Sequence, residues 1–289
     1  MIFYRIGDLL FSWNQEGYQL TKSGFMERFQ AEGVELTDCI EYTSCFYDLD
    51  KYRDCWLLEK NSACELYETD EGRILIYHWA TCRFAFAIWP DRIDASGKNI
   101  CYLHPDMRNQ IPMSTDRLFS IAGMHHILLQ KNAPVLHASY IDFNGSAILF
   151  TGPSQTGKST QSALWTVHAG AEIINDDRAL LRKKEGRWFV YGYPCCGSSS
   201  ICINRTLPLR AIVMLRQGTE NRVEIPTLSE AIRSLVLGIE VYLWDRWEID
   251  QALLMAEEIA RQVVILRLTC RPDADAVRVL RDYLAERGD

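Results

Sequence analysis

The N-terminal third of the chain alternates short apolar and aromatic runs with polar turns. From Met1 to about Arg92 these runs read IFYRI, LLFSW, WLLE, RILIYHWA and FAFAIW. Runs of this length and composition predict short antiparallel strands, with helical pieces near Ser23 to Glu32. The segment from Asp94 to Pro112 has the composition of a loop and predicts a domain boundary. We therefore expect a smaller, acidic, strand-rich domain over residues 1–112.

After this boundary the pattern changes to helices that alternate with short buried strands. Ser114, Thr115 and Asp116 offer N-cap chemistry for an apolar helix that runs to about Lys131. The later elements that the pattern predicts are strands at 135–141, 147–151, 172–174, 209–215 and 263–268, a polar turn between 180–182 and 188–191, and helices at 160–170, 227–237, 248–262 and 274–286. This mixed α/β pattern predicts a second domain over residues 113–289.

A glycine-rich segment connects the strand at 147–151 to the helix that follows it. Residues 152–159 read GPSQTGKS and fit the P-loop pattern G-x-x-x-x-G-K-[ST] at every fixed position. The residues that this motif predicts to bind a nucleotide are Gly152, Pro153, Ser154, Gln155, Thr156, Gly157, Lys158, Ser159 and Thr160. In such a loop the backbone N–H groups and the helix N-terminus converge on phosphate, the lysine reaches the β and γ oxygens, and the serine ligates Mg²⁺. The expected ligands are ATP and Mg²⁺, although GTP or pyrophosphate would satisfy the same motif, and a solvated glycine turn is the alternative without function.

Two adjacent carboxylates, Asp176 and Asp177, end the next strand. Neighbouring side chains on extended backbone point to opposite sides, so the two groups are expected to have different functions. Our hypothesis is that Asp176 holds the metal together with Ser159, while Asp177 accepts the proton of an acceptor hydroxyl. The alternative is turn or cap chemistry, which is common for aspartates at strand ends.

Three segments together resemble the catalytic core of HPr kinase/phosphorylase and its relatives, among them kinase-like proteins encoded with peptide-modifying enzymes. The segments are HAS at 137–139, ILFTGPSQTGKST at 148–160 and EIINDDR at 172–178. The resemblance covers about Leu136 to Leu215 and implies the nucleotide-binding fold that this family shares with ATP-dependent phosphoenolpyruvate carboxykinase. It also implies an acidic pair with one metal ligand and one base, and a site role for His137, which is otherwise a structural histidine in a strand.

The chain departs from HPr kinase in two respects. Residues 1–112 do not match that enzyme's N-terminal domain, and we find no clear copy of its L-E-x-R-G-x-G signature. A loop from Tyr191 to Ser200 stands in its place and resembles one that the peptide-cluster relatives place beside the active site, which implies that Gly197 and Ser198 line an acceptor pocket. An ordinary connecting loop is the alternative. Arg205 and Arg210 follow this loop. Each is a candidate for binding a phosphate or carboxylate group, and the alternative for each is a surface or structural role.

Composition and charge restrict the classes of partner that this protein is expected to have. The formal net charge is −7, and the excess acidity lies in residues 1–112, so no basic surface favours nucleic acid. No apolar run approaches the roughly 18 residues that a membrane span needs, and the ten cysteines include no C-x-x-C pair. These features predict a cytoplasmic protein with reduced thiols and without membrane or nucleic-acid partners. Related kinases are often oligomeric, which by analogy makes a homo-oligomer an expectation.

The leading hypothesis is an ATP-dependent kinase that transfers the γ-phosphoryl group to a hydroxyl. The expected acceptor is serine of a peptide or small protein, or a serine-like metabolite. The alternative is a catalytically silent nucleotide-binding regulatory module. Carboxykinase chemistry on an oxaloacetate-like acid ranks last, because the further metal-ligating histidine and lysine that it requires are not recognisable around the P-loop.

Overall fold

A computed structural model describes residues 1–14, 21, 24–32, 39–79, 81–109 and 114–286. The chain forms two compact units, Met1–Gln130 and Lys131–Asp289. Within the described residues each unit is built on an eight-stranded sheet with helices packed beside it. The mixed α/β class expected from the sequence is therefore confirmed.

The first unit contains strands β1–β8 and helices α1–α3. Their bounds are β1 Ile2–Ile6, β2 Leu9–Asn14, β3 Cys39–Phe46, β4 Trp56–Lys60, β5 Cys64–Thr69, β6 Gly72–Trp79, β7 Cys82–Ile88, β8 Lys98–Leu103, α1 Gly24–Glu27, α2 Thr115–Ile121 and α3 Met124–Gln130. The strand order is β1-β2-β3-β8-β7-β6-β5-β4. The β2–β3 and β3–β8 pairs are parallel, so the expectation of antiparallel strands up to Arg92 was wrong for the β2–β3 pair. Hydrophobic alternation reports which face is buried and carries no information on strand direction.

Strand β8 occupies a segment that composition assigned to a loop. Its buried positions are Asn99, Cys101 and Leu103, whereas Ile100 is 40% exposed. Asn99 is stable there because its amide donates to the backbone oxygens of Glu41 and Asp94. Because Asn99 is polar and lies on the inward face, the hydrophobic pattern of the sequence did not predict this strand.

The units divide at Gln130, whereas the sequence analysis placed the boundary at residues 112 and 113. Both of those residues lie outside the described part of the chain. Helices α2 and α3 belong to the first unit, and the single helix expected from 114 to about 131 is split at Ala122 and Gly123. Phe119 of α2 contacts Trp13 of β2, with ring centroids 5.4 Å apart. This aromatic packing explains why the helix belongs with the first sheet.

The second unit contains strands β9–β16 and helices α4–α7. Their bounds are β9 Val135–Phe143, β10 Ser146–Thr151, β11 Glu172–Asn175, β12 Arg178–Lys184, β13 Arg187–Tyr191, β14 Thr206–Gln217, β15 Arg222–Glu224, β16 Ile265–Cys270, α4 Lys158–Ala169, α5 Leu228–Gly238, α6 Arg246–Gln262 and α7 Ala274–Glu286. Strand β10 pairs antiparallel with β9 and parallel with β14, and β14 pairs parallel with β16. Strands β11 and β12 both pair with β9. The carboxyl ends of β10, β14 and β16 therefore lie at one edge of the sheet.

The core of this unit lies between the sheet and helices α4 and α7. Trp165 of α4 is fully buried and packs on Phe150 of β10, and Val277 and Leu280 of α7 belong to the same cluster. The burial fixes α4 against β10 and so positions the loop between them. No helix in the described residues is long and apolar enough to cross a membrane.

A buried carboxylate in the first unit makes its stability dependent on pH. Glu65 is fully buried, and Arg83 and Lys60 form ion pairs with it while Tyr67 donates a hydrogen bond. Burial alone raises the pKa of Glu65, but the hydrogen bonds from Arg83, Lys60 and Tyr67 outweigh it and lower that pKa to about 2.

Because this pKa is lower in the folded than in the unfolded chain, Glu65 stabilises the fold above about pH 4.3 and loses that contribution as the pH falls towards 2. We expect Glu65→Gln to remove on the order of 2 kcal/mol of this acid dependence, allowing for the exposure of Arg83 and Lys60 to solvent. Urea unfolding of both proteins between pH 2 and pH 6 measures it. Glu68→Gln, an exposed neighbour on the same strand, is the control, and parallel pH profiles for wild type and Glu65→Gln would contradict the assignment.

Candidate active site

The loop with the P-loop sequence pattern, residues 152–159, joins the carboxyl end of β10 to the first turn of α4. Gly152 opens the loop with φ of +145°. A Cβ at this position would lie 3.0 Å from Thr156 Oγ1 and 3.3 Å from the backbone oxygen of Leu215, so the position requires glycine. Thr156 Oγ1 in turn donates to the backbone oxygen of Pro153 at 2.8 Å. The loop is thus a closed turn supported by β14 beneath it.

The amino end of α4 faces this loop. The hydrogen bond from Gln161 N to Gly157 O, 2.8 Å long, is that of the first helical turn. The N–H groups of Lys158, Ser159 and Thr160 precede it and have no acceptor within a helix. Donors in this position, together with the helix dipole, attract anions.

Lys158 is a nearly buried cation, with 8% of its surface exposed. Its Nζ donates to the backbone oxygens of Gly152 and Pro153 at 3.1 and 3.2 Å. Burial lowers the pKa of Lys158, and the nearby carboxylate of Asp177 opposes that shift. Since the two carbonyl acceptors are neutral, the ammonium group lacks a fully compensating charge in hydrogen-bond contact. An anionic group in the loop would compensate it.

The conformation of the acidic turn is set by Asn175. This side chain is fully buried, and its Oδ1 accepts from the backbone N–H groups of Asp177 and Arg178 at 2.9 and 2.8 Å. Its Nδ2 donates to the backbone oxygens of Tyr193 and Cys195, each at 2.9 Å. Asn175 therefore closes the turn after β11 and ties it to the loop that follows β13.

Asp177 points towards β9 and the P-loop lysine. Its Oδ1 lies 3.1 Å from His137 Nε2, and its Oδ2 lies 2.6 Å from Arg178 Nη1. The hydrogen bond from His137 lowers the pKa of Asp177, burial opposes this shift, and the charges of Arg178 and Lys158 lower the pKa further. The structure thus brings His137, Lys158 and Asp177 together, and the carboxylate is ionised at neutral pH.

Asp176 points the other way and holds the loop after β13. Its Oδ1 accepts from Gly197 N at 2.7 Å, and its Oδ2 accepts from both the N–H and the hydroxyl of Ser199. Three of the roughly four acceptor positions of the carboxylate are therefore in use. These contacts hold the loop in place, and the metal-binding role expected from the sequence stays a prediction.

The loop that Asp176 holds lies directly against the acidic turn. A Cβ on Gly197 would lie 3.0 Å from Asp176 Oδ2 and 3.3 Å from Asp177 Cβ, so a larger residue would have to displace these side chains. Ser198 is exposed between the two anchored residues, Gly197 and Ser199. The predicted acceptor residues Gly197 and Ser198 thus lie beside the acidic pair.

Arg205 and Arg210 lie at the other end of the sheet, so the structure does not bring them to the P-loop. Arg205 pairs with Asp142 at 3.2 Å and with Glu172, and Arg210 donates to the backbone oxygen of Leu284. Asp142 pairs with Ala147 at the start of β10, four residues before the end of that strand at Thr151. This is a separation of about 13 Å along the strand. The guanidinium group that lies at the site is that of Arg178.

A cavity of about 400 Å³ opens beside His137 and Arg178. Its other walls come from α5, α6 and the segment between them, and they are mainly apolar, including Leu237, Leu243 and Ile249. Arg178 also pairs with Glu240 of this segment at 3.4 Å. The periodicity of α5 and α6 indicated helices but gave no sign that one apolar face borders the acidic turn.

Comparison with known proteins gives little further guidance. No family model matches the sequence, and no curated protein matches it. Among solved structures, the Hpr(Ser) kinase/phosphatase from Coxiella burnetii is similar with a TM-score of 0.31 and 11% identity, over 54% of this chain and 99% of that chain. The similarity is weak and structural only.

Proposed function

We propose that this protein is an ATP-dependent kinase that transfers the γ-phosphoryl group to a hydroxyl group. The observation that carries the proposal is the position of Asp177. His137 and Arg178 contact its carboxylate. The charges of Asp177 and Lys158 also shift each other's pKa. The ammonium group of Lys158 and the ionised carboxylate of Asp177 are therefore near enough to influence each other's charge. Phosphoryl transfer requires this pair of functions.

The residues of the P-loop fit a triphosphate. The free N–H groups at the start of α4 and the Lys158 ammonium supply donors and positive charge, and the φ of Gly152 opens the loop around them. The Ser159 hydroxyl, which is exposed at this helix end, is the group that would hold Mg²⁺. When bound, Mg²⁺ neutralises charge on the phosphate oxygens.

Asp177 would orient the acceptor and take its proton. The lowered pKa keeps its carboxylate ionised, so it accepts a hydrogen bond from the incoming hydroxyl. The acceptor oxygen bonds to the γ-phosphorus as the bond to the bridging oxygen breaks, and the hydroxyl proton passes to Asp177. A weak base suffices because the transition state in most analyses is loose and depends mainly on alignment. His137 and Arg178 hold the carboxylate in place.

Two surfaces beside Asp177 are available to an acceptor. The exposed Ser198 and the Gly197 backbone lie on one side, and the apolar cavity next to His137 lies on the other. A serine in a peptide would place its hydroxyl at Asp177 and an adjacent apolar side chain in the cavity. This supports a peptide or small-protein acceptor over free serine.

A catalytically silent nucleotide-binding module remains the second candidate. The observation that favours it is that both oxygens of Asp177 already have partners, His137 and Arg178. In a silent module these contacts would be purely structural. An assay for transfer of label from ATP to a peptide separates the two candidates. A kinase transfers the label, and a silent module does not.

Lys158→Ala should weaken ATP binding by roughly 100-fold, because it removes the cation that contacts the β and γ phosphates. Titration calorimetry with ATP and Mg²⁺ measures the loss. Lys184→Ala removes an exposed lysine at the end of β12 and should leave the affinity unchanged. Full affinity in Lys158→Ala would refute the assignment of the P-loop.

Asp177→Asn should keep ATP affinity within about threefold while phosphoryl transfer falls by roughly 100-fold to 10,000-fold, since the amide cannot take the proton. The assay incubates the protein with γ-labelled ATP and a peptide library and locates the label by mass spectrometry. Asp250→Asn, an exposed aspartate of α6, is the matched control. Undiminished transfer in Asp177→Asn would remove Asp177 from the mechanism.

A further inference from the structure

A second cavity, of about 430 Å³, lies against the P-loop on the side away from Asp177. Gly157, Thr160 and Gln161 line it from the loop and α4, and Gln217, Cys270 and Arg271 line it from the ends of β14 and β16. Clefts at the carboxyl ends of parallel strands are the usual ligand sites of α/β sheets. The volume is also within the range of small-molecule pockets.

Gln161, one of the residues that line this cavity, has a buried polar atom without a partner among the described residues. Gln161 is 2% exposed, and its Nε2 donates to Cys270 Sγ at 3.2 Å. Its Oε1 accepts no hydrogen bond from the residues that the structure describes. Most buried amide oxygens in folded proteins are paired, so this one calls for an explanation. A ligand that donates a hydrogen bond would supply one.

The sheet order decides which part of a nucleotide this cavity would receive. Strand β10 lies between β9, which carries His137, and β14, which ends at Gln217. In the proposed reaction the γ-phosphate end of the nucleotide points to the β9 side, where Asp177 contacts His137. The opposite end of the triphosphate must then leave the loop past Thr160, on the side of β14 and β16. The cavity lies where the nucleoside would emerge.

We infer that this cavity is the nucleoside pocket and that Gln161 selects adenine over guanine. The inference rests on the proposed function, because it requires a triphosphate in the P-loop. The exocyclic amino group of adenine donates to Gln161 Oε1, and a carboxamide also matches the neighbouring ring nitrogen, which accepts from Nε2. Guanine presents a carbonyl oxygen where adenine has its amino group, so in the amide orientation that places Nε2 on Cys270 Sγ it would put two acceptors face to face. Gln161 is thus a specificity-determining residue.

The test compares the affinities of ATP, GTP and inorganic tripolyphosphate, all with Mg²⁺, by titration calorimetry. The wild type should bind ATP at least tenfold more tightly than GTP. Gln161→Leu, which keeps the size of the side chain and removes the amide, should lower ATP affinity by about tenfold and abolish the preference. Tripolyphosphate has no base, so its affinity should not change. Gln161→Met serves the same purpose if the leucine variant does not fold.

Gln251→Leu, the same exchange on α6 and outside the cavity, is the matched control and should behave as wild type. A second measurement follows alkylation of Cys270 by peptide mass spectrometry, since this thiol lies on the cavity wall. ATP should slow the alkylation and tripolyphosphate should not.

The outcomes separate the two proposals. Equal binding of ATP and GTP by the wild type, or an unchanged preference in both Gln161 variants, overturns the role of Gln161. Equal protection of Cys270 by ATP and tripolyphosphate overturns the location of the pocket. Each of these results leaves the P-loop assignment intact if tripolyphosphate binds. Failure of all three ligands to bind the folded wild type refutes the proposed function and, with it, this inference.

Discussion

The candidate site depends on the hydrogen bonds of a single buried amide, that of Asn175. Its oxygen takes two backbone N–H groups of the acidic turn, and its nitrogen holds two carbonyls of the loop after β13. A buried amide with all these partners is stable, whereas loss of any one leaves a polar group without compensation. The turn is thereby fixed so that two adjacent carboxylates face different structures. Asp176 binds the neighbouring loop, and Asp177 faces the lysine of the P-loop.

Charge is distributed unevenly across this arrangement. Asp177 has a histidine and an arginine in direct contact, whereas the hydrogen bonds of Lys158 go to neutral carbonyls. Lys158 is therefore a nearly buried ammonium group that is solvated less well than it would be in water. An anion bound in the loop relieves this deficit. Binding affinity at such a site arises partly from the unfavourable electrostatics of the free protein.

Local patterns in the sequence predicted the local structure well. The strand before Gly152, the helix after it and the turn at Asp176 and Asp177 follow from glycine spacing, apolar runs and strand-end polarity, each within a few residues. Relations between distant segments were not accessible in this way. Arg205 follows the predicted acceptor loop in sequence, but strand pairing carries it to Asp142 and Glu172. The sequence predicted different roles for Asp176 and Asp177, but it did not show which element faces each carboxylate. From the sequence, Gln161 is an ordinary helix residue, and only the structure shows its contact with Cys270.

Strand β14 spans 12 residues, a length of about 40 Å at the usual rise per residue. Its first part pairs with β13 and its last part with β10 and β16. The loop held by Asp176 enters this strand at one end, and Gln217 leaves it at the other. A strand hydrogen-bonded on both sides does not stretch or bend easily. The length and direction of β14 along the sheet are therefore fixed where it pairs with both β10 and β16. The carboxyl end of β14, where Gln217 lies, is therefore held in place by its paired neighbours β10 and β16.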